Sequence, residues 1–133
     1  MKKNMDLSLL IIRLSTGILM LLHGIAKIIH GISYIKTLMT DHGLPAAFAY
    51  GVYIGEVAAP VLIILGFRTR LAALALAVNC LVIIFIAHPA EIFKLNEFGG
   101  WSLELPGLFL SGALVLLFTG AGKYALGSKS RWD

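Results

Sequence analysis

The stretch "RLSTGILMLLHGIAKI", from Arg13 to Ile28, reads as the middle of a membrane-spanning helix, yet it contains an arginine, a histidine and a lysine. Ionisable residues inside membrane spans are rare and mark functional sites by default. At about 100° per residue, the basic residues fall on or beside one helix face that also carries glycines: Arg13, Gly17, His23, Gly24, Lys27 and Gly31. Because small residues let neighbouring helices approach closely, this face should point into a helix bundle rather than into lipid.

The composition of the whole chain also indicates a membrane protein. Of its 133 residues, 59% are hydrophobic and 14% are charged, and the mean hydropathy is +0.90. Soluble globular domains are typically about 45–50% apolar and about 25% charged. A soluble domain of average composition is therefore excluded.

Four apolar stretches are predicted to be membrane helices, because a hydrocarbon core about 30 Å thick requires roughly 20 helical residues. Lipid-exposed strands would alternate apolar and polar residues, and runs such as "LVIIFIA" (81–87) do not. We therefore predict an all-α fold, in which residues 1–133 form a single four-helix transmembrane bundle with spans at roughly 7–29, 46–65, 71–87 and 103–118. The first span is expected to be retained, since no small-residue cleavage site follows it.

The distribution of Lys and Arg predicts the orientation, because basic residues in short loops favour the cytoplasmic side. One predicted side of the membrane holds only Lys36 and Lys94. The other side holds seven basic residues: Lys2, Lys3, Arg68, Arg70, Lys123, Lys129 and Arg131. Both termini are therefore predicted to be cytoplasmic. Contact of these residues with anionic lipid headgroups accounts for the net charge of +4 without nucleic acid as a partner.

Polar residues in the other predicted spans lie at depths that suit the basic residues of the first helix. At about 1.5 Å per residue, Glu56 and Asn79 fall near the middle of the membrane, with Arg13 below them and His23 above. Nearer the outer surface lie three further residues: Lys27, His88 and Glu104. An unpaired carboxylate is costly inside a membrane, so Glu56 is expected to pair with Arg13 or His23, or to be protonated.

Structural roles remain open for several of these residues. Arg13 and Lys27 could extend to opposite membrane surfaces along their apolar stems. His88, before Pro89, could cap a helix end, and Glu104 suits the first turn of a helix.

The residue inventory excludes several chemistries. The single cysteine, Cys80, cannot form a disulfide within the chain, which argues against thiol relay catalysis. The sequence contains no CxxC pair, no GxxxxGK phosphate loop and no HExxH zinc helix, and we predict no metal site. Haem is disfavoured, although four histidines are available as axial ligands: His23, His30, His42 and His88.

Three stretches together resemble the DoxX family of small four-helix bacterial membrane proteins: "RLSTGILMLLHGIAKI" (13–28), "GEVAAPVLIILGFRTRLAAL" (55–74) and "TGAGKYAL" (119–126). The resemblance covers essentially the whole chain and rests on a set of spaced residues: Arg13, Gly17, Gly24, Lys27, Glu56, Pro60, Gly66, Arg70, Gly120, Gly122 and Tyr124. Many members continue after the tyrosine with Ser, Leu and Asp, whereas Ala125, Leu126 and Gly127 follow here. The resemblance implies a multi-pass protein of the bacterial inner membrane.

The resemblance also implies a redox association, because the family is named after a subunit of a quinone-linked oxidase and some relatives are linked to thiosulfate oxidation or to responses to oxidants and quinones. Our leading hypothesis is a redox-associated subunit, catalytic or accessory, that binds a quinone between helices. Four candidates would bind the ligand or exchange protons: His23, Lys27, Glu56 and Glu104. Arg13 and Glu56 are candidates for an intramembrane ion pair, and Asn79 and His88 are secondary candidates.

The quinone hypothesis predicts that the four main candidates surround one cavity in the outer half of the bilayer, with Met20 and Tyr53 as neighbours. Two alternatives stay open: a small transporter or proton path, and a non-catalytic assembly protein with close-packed helices. The expected partners are the lipid bilayer, redox partner subunits and a second copy of the chain.

Overall fold

The computed structural model describes residues 4–127 and 129–133, so Lys2 and Lys3, counted above for the orientation, lie outside the described residues. Within the described part the regular structure is helical, apart from one isolated bridge between Leu95 and Trp101. The five longer helices are α1 (Met5–His30), α2 (Ser33–Asp41), α3 (Ala46–Leu65), α4 (Thr69–Ala87) and α5 (Glu104–Thr119), and Pro89–Glu91 forms a short 3-10 turn. The prediction of an all-α fold is confirmed.

Three of the helices, α1, α3 and α4, are long and apolar enough to cross a membrane. Helix α5 is apolar but shorter, with 16 residues, or about 24 Å along its axis. Helix α2 was not predicted, because its nine residues are too few for a membrane span. Its buried Met39 belongs to a small apolar cluster with Ala49 and Val52 at the beginning of α3.

Helices α3 and α4 each contain a π-helical turn, at Ile54–Ala58 and Ile83–Ala87 respectively. Pro60 explains the first of these, because it has no backbone N–H for the carbonyl of Glu56 and its ring would collide with that carbonyl in a regular α-helix. The turn in α4 directly precedes His88 and Pro89. Because π turns occur often at functional sites, the two irregular segments indicate a candidate site near the π turns of α3 and α4.

The main apolar core lies where α1, α3, α4 and α5 meet. Ile63, Leu76 and Leu116 are fully buried there. Between the helices lie small side chains such as those of Ala73 and Ala113. Small residues of this kind allow close helix packing inside a membrane. The C-terminal halves of α3 and α5 therefore contribute buried side chains to this core.

Candidate functional site

The centre of the candidate site is an ion pair between Lys27 of α1 and Glu56 of α3. Nζ of Lys27 lies 2.5 Å from Oε2 of Glu56. On α4, Nδ2 of Asn79 donates a hydrogen bond of 3.3 Å to Oε1 of the same carboxylate. The side chain of Glu56 is 2% exposed and that of Lys27 is 30% exposed. Each carboxylate oxygen thus has a donor, which offsets the cost of burying the charge.

Two glycines allow the three helices to approach closely enough for these contacts. At Gly24, one turn before Lys27, an added Cβ would collide with the backbone carbonyl group of Glu56. At Gly55 an added Cβ would collide with the side chain of Asn79. Gly24 therefore allows α1, which carries Lys27, to approach α3, and Gly55 allows α4, which carries Asn79, to approach α3.

Arg13, one of the two predicted partners of Glu56, makes other contacts. Its Nη1 donates to the carbonyl of Ala121 at 2.8 Å, and its Nη2 donates to the carbonyl of Ile64 at 3.2 Å. The guanidinium is buried, with Arg13 only 2% exposed. The predicted ion pair between Arg13 and Glu56 is therefore wrong, and Lys27 is the partner of this carboxylate.

The predicted relative depths are wrong because α1 and α3 are offset along their axes. The prediction counts depth from the outer ends of the spans at residues 29 and 46, but Glu56, ten residues from its end, packs beside Gly24, which is only five residues from the other. Arg13 is roughly 16 Å from Gly24 along the helix axis. Lys27, predicted to lie near the outer surface, reaches the carboxylate of Glu56 instead.

A cavity of about 680 Å³ lies beside the ion pair. All five helices contribute to its wall, which is mostly apolar and includes Met20, Leu38, Val82 and Phe109. The polar residues of the wall are His23, Lys27, Tyr34, Glu56, Asn79 and His88. A volume of about 300–1,000 Å³ with a few polar groups among apolar walls is typical of a site for a small organic ligand.

The structure brings three of the four main sequence candidates into this wall, together with both secondary candidates: His23, Lys27, Glu56, Asn79 and His88. The ring of His23 meets the ring of Phe109 edge-on, with centroids 5.8 Å apart. Met20 lines the cavity, as expected, whereas the hydroxyl of Tyr53 lies 3.4 Å from the backbone carbonyl of Lys27 outside the cavity wall.

Glu104 is not part of the cavity wall, in contrast to the prediction. It is exposed at the first residue of α5, and its carboxylate lies against Gly100 in the preceding loop. The contact with Gly100 in the folded loop before α5 holds its side chain away from the cavity.

Sequence reasoning missed the contribution of α2 to the cavity. Tyr34, Ile35, Leu38 and Met39 of this helix line the wall. The sequence "SYIKTLMTD" (33–41) carries its apolar side chains at helical spacing, and that pattern could have identified α2 as an amphipathic helix packed on the bundle.

Among the described residues, no group of three or more His, Cys, Asp or Glu side chains could hold a metal ion. Cys80 is a free and buried cysteine. The polar residues of the cavity wall supply hydrogen-bonding groups and one ion pair.

Comparison with known proteins supports the family that the motifs indicated. The DoxX family model matches residues 8–89, which is more than half of the chain and contains Lys27, Glu56 and Asn79. None of the curated proteins and none of the solved structures matches the chain. The family match and the long apolar helices together indicate an integral membrane protein. The chain belongs to the DoxX family.

Proposed function

We propose that this chain is a redox-associated protein of the bacterial inner membrane that binds a quinone in the cavity beside Lys27 and Glu56. The observation that carries the proposal is an apolar cavity of about 680 Å³ with a charged and hydrogen-bonding group of residues in its wall. A quinone has matching chemistry, because it combines an apolar ring and tail with two carbonyl oxygens that accept hydrogen bonds.

Donors for the quinone carbonyls are available in the cavity wall. Lys27 carries three N–H donors and uses one for Glu56, so others can reach a ligand. His23 can donate from a ring nitrogen. Reduction of a quinone to a quinol takes up two electrons and two protons. In this proposal the Glu56 carboxylate and neutral His23 each take up one proton when a quinol is oxidised and return it when the quinone is reduced, and a redox partner subunit removes or supplies the two electrons.

The cavity supports the quinone proposal over the two alternative functions. An assembly protein needs only close-packed helices with paired charges, and a cavity of this size is unnecessary for that role. A transporter or proton path needs a polar route to the cytoplasmic side. Between the cavity and that side lie the fully buried apolar residues Ile63, Ala73 and Leu116, which favours a site closed at one end.

We also propose that α5 is a fourth membrane span and that both termini are cytoplasmic. Helix α5 packs along α4 and also contacts α1, and Trp101 and Tyr124 flank it where interfacial aromatic residues belong. The asymmetry of basic residues supports the orientation. A reporter fused to either terminus should be cytoplasmic, and one inserted at 36–43 or 91–99 should be outside. Termini on opposite sides would contradict the four-span topology.

Binding of a quinone analogue to the purified protein tests the proposed site. We expect saturable binding to the wild type and weaker binding to Glu56→Gln. Glu104→Gln is the matched control, since it makes the same carboxylate-to-amide change outside the cavity wall and should bind as the wild type does. Thermal unfolding of each variant checks that it remains folded. A wild-type protein that binds no analogue, and that contains no quinone by mass spectrometry after extraction, would contradict the proposal.

A further inference from the structure

The loop between α4 and α5 forms an ordered hairpin at 92–102 that plays no part in the proposed quinone site. The amide of Asn96 donates to the carbonyl of Gly100 at 2.7 Å, and the amide of Ser102 donates to the carbonyl of Lys94 at 3.0 Å. Leu95 and Trp101 face each other across these bonds as an antiparallel bridge. The segment therefore has a defined conformation.

Side-chain hydrogen bonds fix the turn and the base of the hairpin. Oδ1 of Asn96 accepts from the amides of Phe98 and Gly100, at 3.0 and 2.9 Å. Gly99, between them, has a φ of 83°, which a glycine adopts without strain. At the base, Nε1 of Trp101 donates to the carbonyl of Ile92 at 2.7 Å.

This fixed hairpin holds large apolar side chains away from the rest of the protein. Phe93 is 99% exposed, Phe98 is 88% exposed and Leu95 is 71% exposed. Full exposure of such side chains to water forgoes about 1.5–3 kcal/mol for each one. A hydrogen-bonded loop that exposes three of them between residues 93 and 98 indicates that an apolar environment covers them.

The hairpin lies beside the N-terminal end of α5, at the level where a membrane surface is expected. The ring of Trp101 packs over Gly107, near the first turn of α5, so the base of the hairpin lies against this helix. Leu108, in the next turn of α5, is 69% exposed. The exposed apolar side chains of the hairpin thus lie near the beginning of an apolar helix that itself exposes a large apolar side chain.

We propose that the hairpin is a lipid anchor, in which Phe93, Leu95 and Phe98 insert into the adjacent leaflet. Lys94 and Glu97, which are also exposed, remain among the headgroups. Amphipathic segments at membrane surfaces bind in this way, with apolar side chains at the boundary of the acyl chains and charges in the headgroup layer. Insertion would hold the outer ends of α4 and α5 at a fixed depth.

Site-specific fluorescence in liposomes tests the anchor. Cys80 is fully buried, so a cysteine introduced by Glu97→Cys can be labelled selectively with an environment-sensitive fluorophore. The probe is measured with the hairpin phenylalanines intact and in a Phe93→Ser/Phe98→Ser background. Because both side chains are almost fully exposed, the double substitution should leave the fold intact, which thermal unfolding checks. Asp41→Cys, at the end of α2, is the control position.

Two quenchers distinguish lipid from water: a lipid with a nitroxide near its headgroup, and iodide equilibrated on both sides of the liposome. With the phenylalanines intact, we expect the lipid to quench the Glu97→Cys probe strongly, and this quenching to fall at least about twofold in the double serine background. The control probe should be unaffected by the serines. Lipid quenching that the serines do not change would overturn the anchor. So would a probe protected from both quenchers, since a protein would then cover the hairpin.

Discussion

Helix α1 carries a basic residue near each end of one glycine-containing face, and the surroundings of the two residues differ. Arg13 is buried, donates to two backbone carbonyls and lies next to the ends of α3 and α5. Lys27 is partly exposed, pairs with the Glu56 carboxylate and lines a cavity. We refer to these regions as the Arg13 end and the Lys27 end.

The difference follows from what the neighbouring helices offer at each level. The carbonyl of Ile64 is in the last turn of α3 and that of Ala121 follows the end of α5, where carbonyls lack helical partners and carry partial negative charge. The planar fork of Arg13 joins both. At the Lys27 end the neighbours offer a carboxylate and an open volume instead. The acceptors around a basic residue in a membrane helix therefore decide its role. The residue either holds neighbouring helices together or remains available to a ligand.

The largest expected effect is at the Lys27 end. Lys27→Met would leave the Glu56 carboxylate, 2% exposed, without its cationic partner. Removal of one member of a buried ion pair typically costs about 3–5 kcal/mol. We expect a loss of that order in the free energy of unfolding in detergent, and a Lys27→Met/Glu56→Gln double variant should lose less than the sum of the single losses. Strictly additive losses would show that the two side chains do not interact.

The contact between α1 and α3 gives the next largest effect. Gly24→Ala would place a methyl group against the backbone carbonyl of Glu56, which cannot rotate away as a side chain could. Overpacking of this kind costs about 1–3 kcal/mol, and we expect the upper end of that range. Gly51→Ala, on α3, is the matched control, because its added methyl group would meet nothing within 4 Å. Equal unfolding temperatures for the two variants would argue against the close approach.

The Arg13 end should tolerate the loss of its charge better than the Lys27 end. Arg13→Met would leave two neutral carbonyls without a donor, but it would leave no buried charge behind. Hydrogen bonds to a charged group contribute about 1.5–3 kcal/mol, and the substitution also removes the cost of burying the guanidinium. We therefore expect a loss of about 2 kcal/mol, with ligand binding unchanged. A greater loss from Arg13→Met than from Lys27→Met would reverse the comparison.

The sequence predicted the helical fold and the polar face of α1, but it misassigned the partner of Glu56. Periodicity shows which residues share a face, and composition shows which segments are apolar, because both are local properties. The offset between α1 and α3 depends on the contact of Gly24 with Glu56 and on the irregular turn before Pro60, which only tertiary packing reveals. The folded loop that holds Glu104 away from the cavity could not be predicted for the same reason.

The smallest expected effect on stability comes from His23, whose role in the proposal is confined to the ligand. The residue is exposed, and its main contact is the edge-on approach to Phe109, which is worth about 0.5–1.5 kcal/mol for an aromatic pair. His23→Ala should therefore unfold within about 1 kcal/mol of the wild type. Its affinity for a quinone analogue should fall about tenfold, since the loss of one hydrogen bond to a ligand is worth about 1 kcal/mol or slightly more.

His30→Ala is the matched control, because His30 is exposed on the same helix outside the cavity wall. This variant should bind the analogue as the wild type does. Equal affinities in the two histidine variants would remove His23 from the site and leave Lys27, Tyr34, Asn79 and His88 as the donors available in the cavity wall.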